Sequence, residues 1–251
     1  MIVITSPGRS GTSFLALLYR ELGFDPGGEF HPHLFAGVEN RTFTRINVEL
    51  ASALGTVPAP RLGTNSFKKL ELFRTENAHR LPHSLQEPLK SAVESIRYRR
   101  NTQDLMDWAK LPSVVAERGN ELRNLAAQTQ VVKDPRFCWT LCVWLASGAT
   151  ISSVVVPLRP LDAMVESRVR AGMIPKATGT WAKNNFAYGI GLLMAAVMEY
   201  RVPLTLLRFP DFLSDPRGLY GQLPFPETRT WEEFSDAFVK VHDASLVHDR
   251  R

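Results

Sequence analysis

The stretch "IVITSPGRSGTSFLALL", Ile2 to Leu18, decides the fold. Four β-branched or aliphatic residues run into a burst of Ser, Pro, Gly, Arg and Thr, and an apolar helical pattern starts at once. Small residues leave backbone N–H groups uncovered at the mouth of a helix, where the aligned peptide dipoles favour an anion. The pattern predicts a strand, a phosphate-binding turn and a helix. The turn disfavours an ATPase or GTPase. A Walker A sequence needs Gly, four residues, then Gly-Lys-Ser or Gly-Lys-Thr. In that register Ser6 stands for the first Gly, Gly11 matches the second, and Thr12 replaces the lysine that would reach the β- and γ-phosphates. The positive charge sits inside the turn instead, at Arg9, whose guanidinium is suited to fork onto a phosphate or sulfate.

Three further runs share the β-rich character of Ile2–Thr5: Gln130–Lys133, Ser152–Leu158 and Pro203–Phe209. Both "SSVVVPL" and "VPLTLLRF" are continuously apolar, as strands buried on both faces are, and helical patterns separate the runs. The expected fold is α/β, a P-loop-like parallel sheet flanked by helices. Between the first strand-helix unit and "QVVKD" the chain shows helical periodicity and turn signals without a strand pattern. Residues 41–129 therefore read as a helical insertion shaping a substrate pocket, within a single domain spanning 1–251.

The bulk numbers read as an ordinary soluble globular chain. The 251 residues are 44% hydrophobic and 22% charged, with a net charge of +5. Residues 61–110 hold ten Lys or Arg against six Asp or Glu, an excess of four in that window. That excess suits either an acidic partner surface or a solvated helical face. "SIRYRR", Ser95 to Arg100, lacks a nucleic-acid motif around it, so no nucleic-acid partner is expected. The strand beginning at Ile2 leaves no room for a secretory signal, and a cytoplasmic location is expected. Phe186 to Met198 is too short for a bilayer and reads as a buried helix. Cys138 and Cys142 read as core thiols.

A second anion site is legible in "VVVPLRPLDAMVESRV". Arg159 ends the strand and Ser167 follows eight residues on, presenting a guanidinium and a hydroxyl at a second strand-helix junction. Two such sites at the carboxyl ends of parallel strands suit a ligand phosphorylated at two places. An ion pair of Arg159 with Asp162 or Glu166 is the competing explanation.

These motifs resemble those of the sulfotransferases that use 3′-phosphoadenosine 5′-phosphosulfate (PAPS), in particular the bacterial and carbohydrate-type branch. "PGRSGTS" is similar to the family's 5′-phosphosulfate loop, and "RPLDAMVES" to its 3′-phosphate motif, with Arg and Ser at the same separation. "VVKDPRFCW" and "VPLTLLRFPDFLSDP" resemble its second strand signature and its late strand with an acidic turn. Two departures stand out. Pro160 and Asp162 come one position early after Arg159, and Phe209 occupies a position where many members have tyrosine near the adenine.

The resemblance implies transfer of a sulfuryl group from PAPS, leaving PAP, to a hydroxyl or amine of a small-molecule, glycan or lipid acceptor, with no metal. It implies a donor site of Gly8, Arg9, Ser10, Gly11, Thr12, Ser13, Arg159, Ser167 and Phe209. Lys133 becomes a second cation for the transferring sulfonate beside Arg9. In the phenol and steroid branch a histidine base lies two residues after that lysine, where this chain has Pro135. Carbohydrate-type members use a glutamate after the first helix, which points to Glu39, with a pKa raised toward neutrality by partial desolvation. Glu29, His31 and His33 are its rivals, and capping of the helix near Asn40 is the alternative role for Glu39. A magnesium-dependent small-molecule kinase and a non-catalytic nucleotide-binding module are the competing functions.

Overall fold

The computed structural model describes residues 1–24, 38–55, 107–170 and 179–242. Four short strands, β1 (Ile2–Ile4), β2 (Val131–Lys133), β3 (Ser153–Leu158) and β4 (Leu204–Arg208), form one parallel sheet in the order β2-β1-β3-β4. Each strand falls within an expected run and is trimmed at one or both ends. The fold is the α/β architecture that the alternating strand and helix patterns require.

Side-chain alternation along the strands divides the core into two layers. Val3, Val132, Val154 and Val156 point into one, Ile2, Ile4, Val131 and Val155 into the other. The first layer is covered by helices α2 (Arg41–Leu54), α3 (Leu111–Ala127), α4 (Phe137–Ala146) and α6 (Gly179–Glu199). The second is covered by α1 (Thr12–Glu21), α7 (Pro216–Gln222) and α8 (Trp231–Val241). Helix α5 (Leu161–Arg170) packs with the start of α6 in a small cluster of its own around Met164, Val165 and Phe186. Helix α4 is apolar all round, and "FCWTLCVWL" is buried from end to end. Cys138 and Cys142 are buried thiols of that helix, as expected, and burial pushes the pKa of both up to about 12.

Two expectations need correction. Strand β4 is not buried on both faces: it is an edge strand, and Leu206 is half exposed. Helix α6 is not a wholly buried helix either. Phe186, Gly189, Leu193, Ala196 and Val197 form a buried stripe at helical spacing, while Met198 lies open. Gly189 belongs to that stripe because a Cβ there would sit 2.8 Å from the Trp139 ring. The insertion is helical where described: α2, a 3₁₀ turn at Trp108–Lys110 and α3. Most of the basic 61–110 window lies outside the described residues.

The sheet order places a topological switch between β1 and β3. The connection leaving β1 reaches β2 on one side, and the connection leaving β3 reaches β4 on the other. Ligand crevices in open parallel sheets form at such a point, outside the carboxyl ends of the strands. The turns after β1, β2 and β3 all emerge on that edge.

Candidate active site at the carboxyl edge of the sheet

The turn after β1 is shaped by backbone that side chains resist. Gly8 (φ 108°), Arg9 (φ 61°) and Gly11 (φ 86°) all adopt positive φ. For Arg9, an L-residue with a long side chain, this costs roughly 1–2 kcal/mol, a strain that tends to collect at functional sites. Gly11 is required twice over. It supplies the left-handed cap of α1, and a Cβ there would lie 2.6 Å from Phe209. Helix α1 begins without a side-chain cap and without an acidic residue in its first turn.

Two hydroxyls line this turn from inside. Ser6 and Ser10 are fully buried, and their Oγ atoms have no hydrogen-bond partner among the described residues. Buried polar groups are normally satisfied, and an orphan costs about 1–3 kcal/mol. Such a cradle fits a phosphate or sulfonate, whose oxygens accept from hydroxyls and N–H groups. Thr12 is buried and Ser13 half-buried at the start of α1.

The structure brings the second anion motif against the first. Arg9 Nε donates to Ser167 Oγ at 3.1 Å, across 158 residues of sequence. The guanidinium carbon of Arg159 lies 5.6 Å from the centroid of the Phe209 ring, and that ring also packs on Gly11. Phe209 thus sits between the two turns. Asp162 pairs with Lys183, its Oδ1 2.8 Å from the ammonium, so the aspartate offered as a competing partner for Arg159 is engaged elsewhere. Arg168, which sequence reasoning missed, donates to the carbonyl of Pro7 and lies over the Phe186 ring at 4.7 Å. It braces the turn, and a Cβ on Gly8 would collide with it at 2.7 Å. The only signal for it was its place beside Ser167.

Beyond β2 lies a cluster of alternating charge. Lys133 Nζ donates to Glu39 Oε1 at 2.7 Å, and Arg136 Nη1 donates to Glu39 Oε2 at 3.1 Å and to Asp134 Oδ1 at 2.9 Å. Lys133 is nearly buried and Asp134 wholly so. Glu39 does not cap α2. That task falls to Asn40, whose Oδ1 accepts from the N–H groups of Thr42 and Phe43. The expectation of a raised Glu39 pKa is also overturned. Burial pushes its carboxyl up, but Lys133 and then Arg136 outweigh that, and the group is held below its ordinary range. Lys133 pairs with Glu39, while the adjacent Asp134 is taken by Arg136.

Of the predicted residues, Gly8, Arg9, Ser10, Gly11, Thr12 and Ser13 form one turn, joined through Arg9 to Ser167 and through Gly11 and Phe209 to Arg159. Glu39 and Lys133 form a pair beside Arg136 at the end of β2. Glu29, His31 and His33 lie outside the described residues. Arg136 and Asn47 went unpredicted. Arg136 was visible only as part of "VVKDPRFCW", and Asn47 as a polar residue on the apolar stripe of α2.

No protein-family profile and no curated protein sequence matches the chain. Two solved structures do. The chain is similar, with 19% identity and a TM-score of 0.44, to the sulfotransferase STF1 from Mycobacterium tuberculosis H37Rv, over 95% of this chain and 70% of that one. It is similar, with 12% identity and a TM-score of 0.42, to the sulfotransferase domain of the Synechococcus PCC 7002 olefin synthase, over 99% of this chain and 78% of that one.

Proposed function

We propose that this chain is a sulfotransferase that moves a sulfuryl group from PAPS to a hydroxyl or amine of an acceptor. One observation carries the reading: the Arg9–Ser167 hydrogen bond joins the turn after β1 to α5, the helix that follows β3, and that turn buries two hydroxyls that no described group satisfies. A donor with phosphate groups at both its 3′ and 5′ positions matches two adjoining anion sites, whereas ATP has no 3′-phosphate for the second.

When bound, the donor supplies a sulfuryl group on a phosphate leaving group. The protein's part is positioning and charge stabilisation, as in phosphoryl transfer. Arg9, the hydroxyls of Ser6 and Ser10 and the N–H groups of Ser10 to Ser13 hold the 5′ end. Arg159 and Ser167 hold the 3′-phosphate, and the Phe209 ring lies on the adenosine side. Lys133 provides the second cation for the sulfonate. Glu39 accepts the acceptor's proton at a carboxylate oxygen, and it becomes a stronger base once Lys133 turns from it to the sulfonate, since the loss of a neighbouring cation raises a carboxylate's pKa. His33 is the rival base.

A thermal-shift comparison tests the reading, because a ligand that binds only the folded state raises its stability. PAP should stabilise the protein without metal and more than AMP or ATP with magnesium. Equal stabilisation by AMP and PAP, or a requirement for magnesium with ATP, would overturn it.

A further inference from the structure

Glu39 is held by two cations that are themselves held very differently. Lys133 has Glu39 as its one hydrogen-bonding partner among the described residues. Arg136 is anchored from behind. Its guanidinium and its backbone N–H both donate to Asp134 Oδ1, at 2.9 and 2.8 Å, and Asp134 is fully buried. The other carboxylate oxygen, Oδ2, accepts from Asn47 Nδ2 at 3.1 Å. Asn47 comes from α2, the first helix of the insertion, 87 residues away in sequence.

The orientation of the Asn47 amide is fixed by its neighbours. The Trp144 indole N–H can only donate, and it reaches Asn47 Oδ1 at 2.9 Å; the Thr140 hydroxyl donates to the same oxygen at 2.7 Å. The amide oxygen is thereby committed to α4, and its NH₂ must face Asp134. A continuous chain of hydrogen bonds runs from the indole of Trp144 through Asn47, Asp134 and Arg136 to Glu39. Fully satisfied buried networks of this kind rigidify their members.

We propose that Asn47 and Arg136 are positioning residues that keep Glu39 in place when Lys133 turns away toward a bound sulfonate. The proposal rests on the sulfuryl-transfer reading for the departure of Lys133, and on the hydrogen bonds alone for the anchoring of Arg136. Lys133 is the exchangeable cation and Arg136 the permanent one. The charged groups facing Glu39 among the described residues are Lys133 from β2 and Arg136 from the turn before α4, with Asp134 behind the arginine.

The anchoring is tested on the free protein by ¹³C NMR titration of the glutamate carboxyls, with Glu39→Gln assigning the Glu39 signal. Arg136→Gln should move the Glu39 midpoint upward by about one pH unit or more, the effect of removing an adjacent opposite charge. Asn47→Ala, which leaves Arg136 on Asp134 but frees Asp134 Oδ2 from its own anchor, should move it in the same direction by less. An unmoved midpoint in Arg136→Gln overturns the proposal. An unmoved midpoint in folded Asn47→Ala shows that Asn47 only pins α2 to the sheet and overturns its part. Should Asn47→Ala not fold, Arg136→Lys decides, because it keeps the charge on a stem that cannot bridge Asp134 and Glu39 as the guanidinium does. An unmoved midpoint there overturns the anchoring.

The second arm follows slow hydrolysis of PAPS, in which water adds to sulfur, the bond from sulfur to the 5′-phosphate oxygen breaks, and Glu39 takes the proton. Asn47→Ala should lower kcat between roughly 10- and 100-fold, the cost of a misplaced catalytic group, with KM for PAPS little changed. Unchanged kcat, or a loss carried entirely by KM, overturns the positioning role. A parent protein that neither binds PAP nor hydrolyses PAPS overturns the sulfuryl-transfer reading and the role of Lys133, and the titration still judges the mount by itself.

Discussion

The turn after β1 and the turn after β2 lie side by side on the carboxyl edge of the sheet, yet they treat polar groups in opposite ways. Around the first, the backbone is held at positive φ and two buried hydroxyls lack partners among the described residues. Around the second, Lys133, Glu39, Arg136, Asp134, Asn47, Thr140 and Trp144 bond to one another in one network that is buried except at Glu39 and Arg136, which are partly exposed. Leaving polar groups unsatisfied costs stability and satisfying them restores it. On the proposed function, the first turn receives a ligand's oxygens, and the second holds its own side chains in place until one of them is drawn away.

If that division is right, each side fails in its own way when altered. The largest effect is expected on the paired side. Glu39→Gln keeps the shape and an acceptor for Lys133 but removes the base, so transfer should fall about 10²- to 10⁴-fold while PAP binding persists. Transfer at the parent rate in this variant, with loss in His33→Ala, would move the base to "HPH". Next comes Arg159→Ala on the receiving side. It should weaken PAP by about 1.5–3 kcal/mol, the worth of a charged hydrogen bond, and AMP far less. Calorimetry showing equal losses for both nucleotides would remove Arg159 from the 3′-phosphate.

A smaller effect is expected at Gly11. Alanine there meets the Phe209 ring at 2.6 Å and must hold a left-handed backbone, two independent penalties. The left-handed conformation alone costs a non-glycine residue roughly 1–2 kcal/mol. Denaturant unfolding should show at least that loss, and PAP stabilisation should shrink with it. An unaltered midpoint would show that the turn adapts, and that its strain is not what shapes the cradle.

The sequence disclosed the receiving side far better than the paired side, for a physical reason. The turn expected to bind a phosphate is local: small residues, a strand before and a helix after lie within Ile2 to Leu18, and Arg159 with Ser167 follows a second strand in a single run. The network at β2 is assembled from residues separated by 87 to 97 positions, so no local spacing announces it. Glu39 and Lys133 were legible one at a time, but their 2.7 Å contact was not, and it reverses the expected direction of the Glu39 pKa. Likewise, the apolar run "VPLTLLRF" marks a strand correctly, but its place at the edge of the sheet is set by tertiary packing, and Leu206 is left half exposed.

The subtlest test of the contrast is the pH dependence of stability. Burial raises the Glu39 carboxyl, but Lys133 and Arg136 outweigh it, so the folded protein holds this group below its unfolded value of about 4.3. A carboxyl depressed on folding contributes stability that is fully present above the unfolded pKa and is lost as pH falls through the folded one. Stability of the parent should therefore decline on acidification below about pH 5, with Glu39 adding at most about 1.4 kcal/mol per pH unit, the limit for one proton. Glu39→Gln lacks that proton, and its decline should be shallower over the same window. Arg159→Ala, on the receiving side, leaves the pairing of Glu39 with Lys133 and Arg136 in place and should keep the parent's slope. Urea unfolding at pH 6, 5, 4 and 3 for the three proteins measures the difference. Parallel curves for parent and Glu39→Gln would mean that Lys133 and Arg136 do not hold the Glu39 carboxyl low in solution, and the distinction between a receiving turn and a self-satisfied one would fall.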